Sequence, residues 1–210
     1  MVTVAILTLC AACGTAPAGV AREGAQLQPT FAASAAGGIE PVTFFGDRPL
    51  DLLSRDGRYR LVSTPSADGL TQLIAIRTSN GRRQVIGSYN PPTAVLWSPS
   101  SESFFVNDQR GSGQSSYLEV VRLEQGRFRR DVAARRNLNR LYNRLFECSL
   151  SADFINTTGD SWMDASTLIV EVQASHHSGG CPLDPFAANQ LVLLVNASTG
   201  EVLHRRAVRP

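Results

Sequence analysis

The chain has 210 residues, with 20 basic and 18 acidic side chains, a formal charge of +2, and arginine at every basic position. Without lysine there is no Schiff-base nucleophile, no phosphate-loop lysine and no Ser-Lys dyad, so several large enzyme classes are excluded. The near-neutral total does not demand nucleic acid or membrane as partner of the whole chain, and 43% apolar against 18% charged residues suits one domain with a sizeable core.

The first segment, residues 2–12, is uncharged and apolar. It is too short to span ~30 Å of hydrocarbon and matches the apolar region of a secretory signal followed by small residues. Leu9-Cys10-Ala11-Ala12-Cys13-Gly14 resembles the bacterial lipobox, with Cys13 at the position that is lipidated and becomes the mature N-terminus, and Cys10 where Leu is usual. The resemblance implies an exported, periplasmic or lipid-anchored bacterial protein; ordinary cleavage near Ala18 or Ala21, and a protein that is not exported, are the alternatives. Residues 1–21 are therefore assigned to export, residues 22–49, rich in Ala, Gly, Gln, Pro and Thr, to a flexible tether, and residues 50–210 to a single β-rich domain. In an oxidising compartment Cys148 and Cys181 are expected to pair, which stabilises a loop of this length by about 3 to 4 kcal/mol; a reactive or metal-binding thiol is the alternative.

Three segments share one layout of strand, polar loop, strand, Gly-containing turn and strand. The first uses residues 59–63, 73–78 and 83–87 about Gly81; the second, 103–107, 117–123 and 127–130 about Gly126; the third, 167–172, 190–195 and 202–205 about Gly200. Period-two alternation with a Gly turn is the hairpin signature. A fourth strand precedes two of the units, at 94–97 and 160–163. Trp97-Ser98-Pro99 ahead of an apolar strand resembles the blade opening of bacterial propeller repeats of the WD-repeat and Tol-associated type, with Ser100-Ser101 in place of Asp-Gly. The resemblance implies four-stranded antiparallel blades. Roughly four blades are needed to close a propeller, so three propeller-like blades or open stacked sheets, monomeric, are expected.

An amphipathic helix is expected over residues 131–147, inserted between the second and third units, with Asp131 as N-cap. Leu138, Leu141, Tyr142 and Leu145 share one face and Arg136, Arg140 and Arg144 the other. Eight of the twenty arginines fall between Arg122 and Arg144. Like charges four apart on a helix repel by about 0.2 to 0.5 kcal/mol per pair, so this stripe does not serve helix stability. It is a candidate anion-binding face, because guanidinium pairs phosphate bidentately; a solvated surface is the plain alternative.

Two further candidates stand on loops. The polar stretch 107–116 is a candidate ligand loop through Asp108, Arg110 and Gln114, or an ordinary connection. His176 and His177 are weak metal candidates beside Cys181 and Asp184, since neighbouring strand residues point to opposite faces; a glycine-rich disulfide loop is the alternative. No nucleophile-elbow or zinc-helix motif is present. The expectation is an envelope-located, non-enzymatic binding or scaffolding protein without a cofactor, with an unknown envelope component as partner, anionic if the arginine face binds it, and no nucleic acid. A hydrolase with a loop-borne carboxylate or histidine site is the alternative.

Overall fold

A short strand, β1 (Val42–Phe44), comes first, and behind it consecutive strands are antiparallel neighbours in three sheets. The computed structural model describes residues 40–45, 48–110, 115–174 and 190–208, all within the unit Phe31–Pro210. Sheet one holds β2 (Asp51–Leu53), β3 (Tyr59–Pro65), β4 (Thr71–Arg77) and β5 (Arg83–Tyr89) in that order. Sheet two runs β1, β6 (Thr93–Trp97), β7 (Ser103–Arg110), β8 (Ser115–Glu124), β9 (Arg127–Asp131). After helix α1 (Ala133–Leu145) and a 3-10 turn at Ala152–Phe154, sheet three runs β10 (Ile155–Trp162), β11 (Thr167–Ala174), β12 (Gln190–Asn196), β13 (Val202–Val208). The protein is thus mostly β, with three antiparallel sheets of four or five strands and one inserted α-helix among the described residues.

Side-chain alternation explains the stacking. On β3, Tyr59, Leu61 and Ser63 are buried while Arg60 is exposed. The centre of sheet two is covered on both faces, so β6, β7 and β8 carry consecutive buried apolar residues at Val95–Trp97, Phe104–Val106 and Val120–Val121. Val95, Trp97, Phe104, Val106 and Val121 join Tyr59, Leu61, Leu73 and Tyr89 of sheet one in one core. Their neighbours Leu96, Phe105, Leu118 and Val120 join Leu168, Val170, Leu193 and the helix residues Leu138 and Tyr142 in the other. Trp97 and Phe104 meet edge to face with centroids 4.9 Å apart, a geometry favoured by the ring quadrupoles.

Backbone approach is closest at two glycines. A Cβ on Gly159 of β10 would lie 3.0 Å from the side chains of Phe105 and Leu118. Gly200, in the β12–β13 turn at φ +69°, would place a Cβ 2.6 Å from the Ala134 Cα of α1.

The expected hairpins about Gly81, Gly126 and Gly200 are present. The turn after Trp97 is built without Asp-Gly: Ser101 takes φ 61° and donates its N–H to the Ser98 carbonyl at 3.0 Å, while the Ser98 hydroxyl accepts the Ser103 N–H at 3.3 Å. Several boundaries differ from the sequence expectation. β1 falls inside the stretch read as tether, because Phe44 is buried and the strand pairs with β6. Sheet one gains β2 as a fourth strand. The helix begins at Ala133, since Asp131 ends β9, although its carboxylate still accepts the Ala133 N–H at 2.7 Å.

Candidate functional site

Helix α1 is held from below and leaves its arginines outward. Ala134, Leu138 and Tyr142 are buried, and the Tyr142 hydroxyl accepts the Ala174 N–H of β11 at 3.2 Å. Asn137 donates to the Thr199 carbonyl at 3.3 Å, which ties the helix to the β12–β13 turn. Asn143 donates to the Leu150 carbonyl at 2.8 Å and accepts its N–H at 3.1 Å, fixing the exit.

The eight clustered arginines divide by their partners. Arg122 meets Asp131 at 2.7 Å and Glu124 at 3.4 Å, and Arg129 meets Glu124 at 3.7 Å. Arg130 forms a two-pronged pair with buried Glu119, through Nε at 2.8 Å and through Nη2. That hydrogen bonding, opposed by desolvation, raises the Arg130 pKa above its ordinary value. Arg135 reaches Asp153 at 3.5 Å and stacks on the Tyr117 ring with its guanidinium carbon 3.9 Å from the centroid. Arg127 in the β8–β9 turn region and Arg136, Arg140 and Arg144 on α1 are exposed and have no acidic partner among the described residues. Arg140 donates to Asn137 at 2.6 Å.

Two grooves run along this face. One, of about 610 Å³, is lined by Val132, Arg135, Arg136, Asn139 and Arg140. The other, of about 290 Å³, is lined by Asn137, Arg140, Leu141, Arg144, Glu201 and their neighbours. Arg140 forms part of both walls. The first turn of α1 carries no acidic residue, while the Asp131 carboxylate just before it accepts the Ala133 N–H at 2.7 Å and offsets part of the helix dipole.

The structure places the remaining candidates differently. Asp108 sits within β7, 1% exposed, opposite Thr93 and Tyr117, and its carboxylate accepts the Asn90 N–H at 3.1 Å. Arg110 ends the same strand, so the expected loop is shorter than the sequence suggested. Gln114 lies outside the described residues, as do Cys13, His176, His177 and Cys181. Cys148 is half-buried at the edge of the helix-side core. Among the described residues no group of three or more His, Cys, Asp or Glu is arranged to hold a metal ion.

Sequence reading missed a buried polar cluster between sheets one and two. The Tyr89 hydroxyl donates to Glu119 at 3.1 Å, beside Arg130. Burial first, and then the Glu119 charge, push the Tyr89 phenol far above its usual range. The available signal was Glu119 itself, a carboxylate amid Leu118, Val120 and Val121 in an apolar strand. Also unforeseen is a polar cleft of about 430 Å³ whose lining includes Glu40, Gln109, Asp160 and Glu171.

No family model matches the chain, and no curated protein matches it. Among solved structures it is similar to the crystal structure of TolB from Acinetobacter baumannii, at 16% identity and a TM-score of 0.39 over 76% of this chain. The chain spans 32% of the length of that protein.

Proposed function

We propose that this is an exported, envelope-associated binding protein without catalytic activity, anchored by a lipid on Cys13 and engaging an anionic envelope component through the grooves of α1. The observation that carries the reading is the division of the arginines. Arg122, Arg129, Arg130 and Arg135 are neutralised by carboxylates. Arg136, Arg140 and Arg144, at successive four-residue steps, are left to solvent along two adjoining grooves. Solvent-facing guanidiniums that repel one another persist at a cost to the helix, and an anionic ligand removes that cost.

The lipobox-like sequence supports export and anchoring, and export in turn supports the Cys148–Cys181 disulfide. Asp108, buried in a strand and bonded to the backbone, is not placed as a loop-borne acid of a hydrolase. Equilibrium binding to anionic vesicles, an acidic polysaccharide and a phosphate polymer tests the function. The wild-type chain is expected to bind at least one of them with an affinity that falls as salt is added, and R136A/R140A to bind it at least tenfold more weakly. Binding to none of the three, or equal binding by the variant, contradicts the reading.

A further inference from the structure

Resting on the reading that α1 binds an anion, we infer that the ligand is an extended polymer linked through phosphodiesters, lying along the helix with successive phosphates on Arg136, Arg140 and Arg144. Four residues of α-helix advance about 6 Å, so the stripe sets three arginine Cα atoms at one repeated interval. A polymer with six bonds between neighbouring phosphorus atoms repeats its charge at a comparable interval when extended. Each guanidinium fork takes two phosphate oxygens.

The size of the face favours a chain over a single ion. The two grooves, about 610 and 290 Å³, share Arg140 and flank it on the surface of the helix. One phosphate occupies a small part of that volume. Glu201 lines the second groove together with Arg140 and Arg144, so an anion there meets one carboxylate as well as the two arginines. At the near end Val132 precedes the first turn of α1, and the Asp131 carboxylate on the Ala133 N–H marks the limit of the cationic stripe. The grooves therefore accept about three consecutive phosphates, held by three arginines.

The test compares three probes on the mature chain: a long poly(glycerol phosphate), its monomer glycerol phosphate, and phosphatidylglycerol vesicles. The polymer is expected to bind at least a hundredfold more tightly than the monomer, because linked contacts act at high effective concentration. Its affinity is expected to fall with salt with a log–log slope of about −2, moving to about −1.4 in R140A, at about 0.7 per phosphate contact. If the monomer binds as tightly as the polymer, or the vesicles bind and the polymer does not, and R136A/R140A/R144A abolishes that binding, the polymer proposal is overturned while the anion-binding face stands. If no probe binds, or the triple variant binds like wild type, both fall.

Discussion

Gly200 meets two demands at once, a left-handed backbone at φ +69° and a helix whose Ala134 Cα leaves no room for a methyl group. Gly81 meets only the first: its φ is +68° and nothing lies within 4 Å of a built Cβ. Gly81→Ala is therefore expected to cost about 1 kcal/mol, the strain of a left-handed non-glycine residue. Gly200→Ala is expected to cost about 2 to 4 kcal/mol, because overpacking is added. Urea denaturation of both variants checks the order, and equal costs would mean that α1 is not seated on that turn. The Glu119 pair is a second residue-scale case. Arg130→Met removes the partially exposed member and leaves a carboxylate at 5% exposure facing Tyr89. A loss of about 1 to 3 kcal/mol is expected, the penalty of an unpaired buried charge discounted for solvent at Arg130, and a thermal melt measures it.

At the scale of elements, the β10–β11 turn is closed by Asp164, whose carboxylate accepts the Ser166 and Thr167 N–H groups at 2.7 Å each. Partial desolvation raises its pKa, but those hydrogen bonds prevail and hold the carboxyl below its ordinary value. The folded pKa thus lies below the unfolded one, so the stabilisation is present at neutral pH and is lost as pH falls below about 4 through the folded value. Asp164→Asn is expected to flatten that part of the acid limb in a pH-dependent melt; an unchanged acid limb would show that the turn does not depend on the charge.

The hairpins about Gly81, Gly126 and Gly200 were legible because their alternation and turn residues are local. The first half of β10 was not. Its Asn156 and Thr157 lie before the expected strand 160–163, yet they accept the Ser116 and Leu118 N–H groups at 3.1 and 3.2 Å across about forty residues. β7 was cut short at Asn107 for the same reason, since Asn107 and Gly159 exchange hydrogen bonds at 2.7 and 2.8 Å. A polar strand residue satisfied by a distant partner looks like a turn until that partner is known. The helix face was legible through its period, but the neutralisation of Arg135 by Asp153 and Tyr117 depends on tertiary contacts that spacing does not encode.

On the scale of the whole molecule, sheet two is buried on both sides at its centre and joins sheet one through Gln84, which donates to the Phe128 carbonyl at 2.5 Å and accepts its N–H at 2.8 Å. This arrangement presents α1 on a stacked β scaffold, which suits a site that recognises by charge and shape. The envelope reading adds an expectation for the cysteines: thiol titration of the unfolded, unreduced mature chain should find none at Cys148 and Cys181, and two free thiols would refute the disulfide. The central claim is that anion binding belongs to the α1 face and not to net charge. R136A/R140A/R144A and R55A/R82A/R83A remove the same charge from different surfaces, the second set also being exposed. Affinity for the anionic probe that wild type binds best, measured for both triple variants at equal ionic strength, tests the claim most directly. The account predicts a loss of at least tenfold for the α1 variant and less than threefold for the other; equal losses would contradict it.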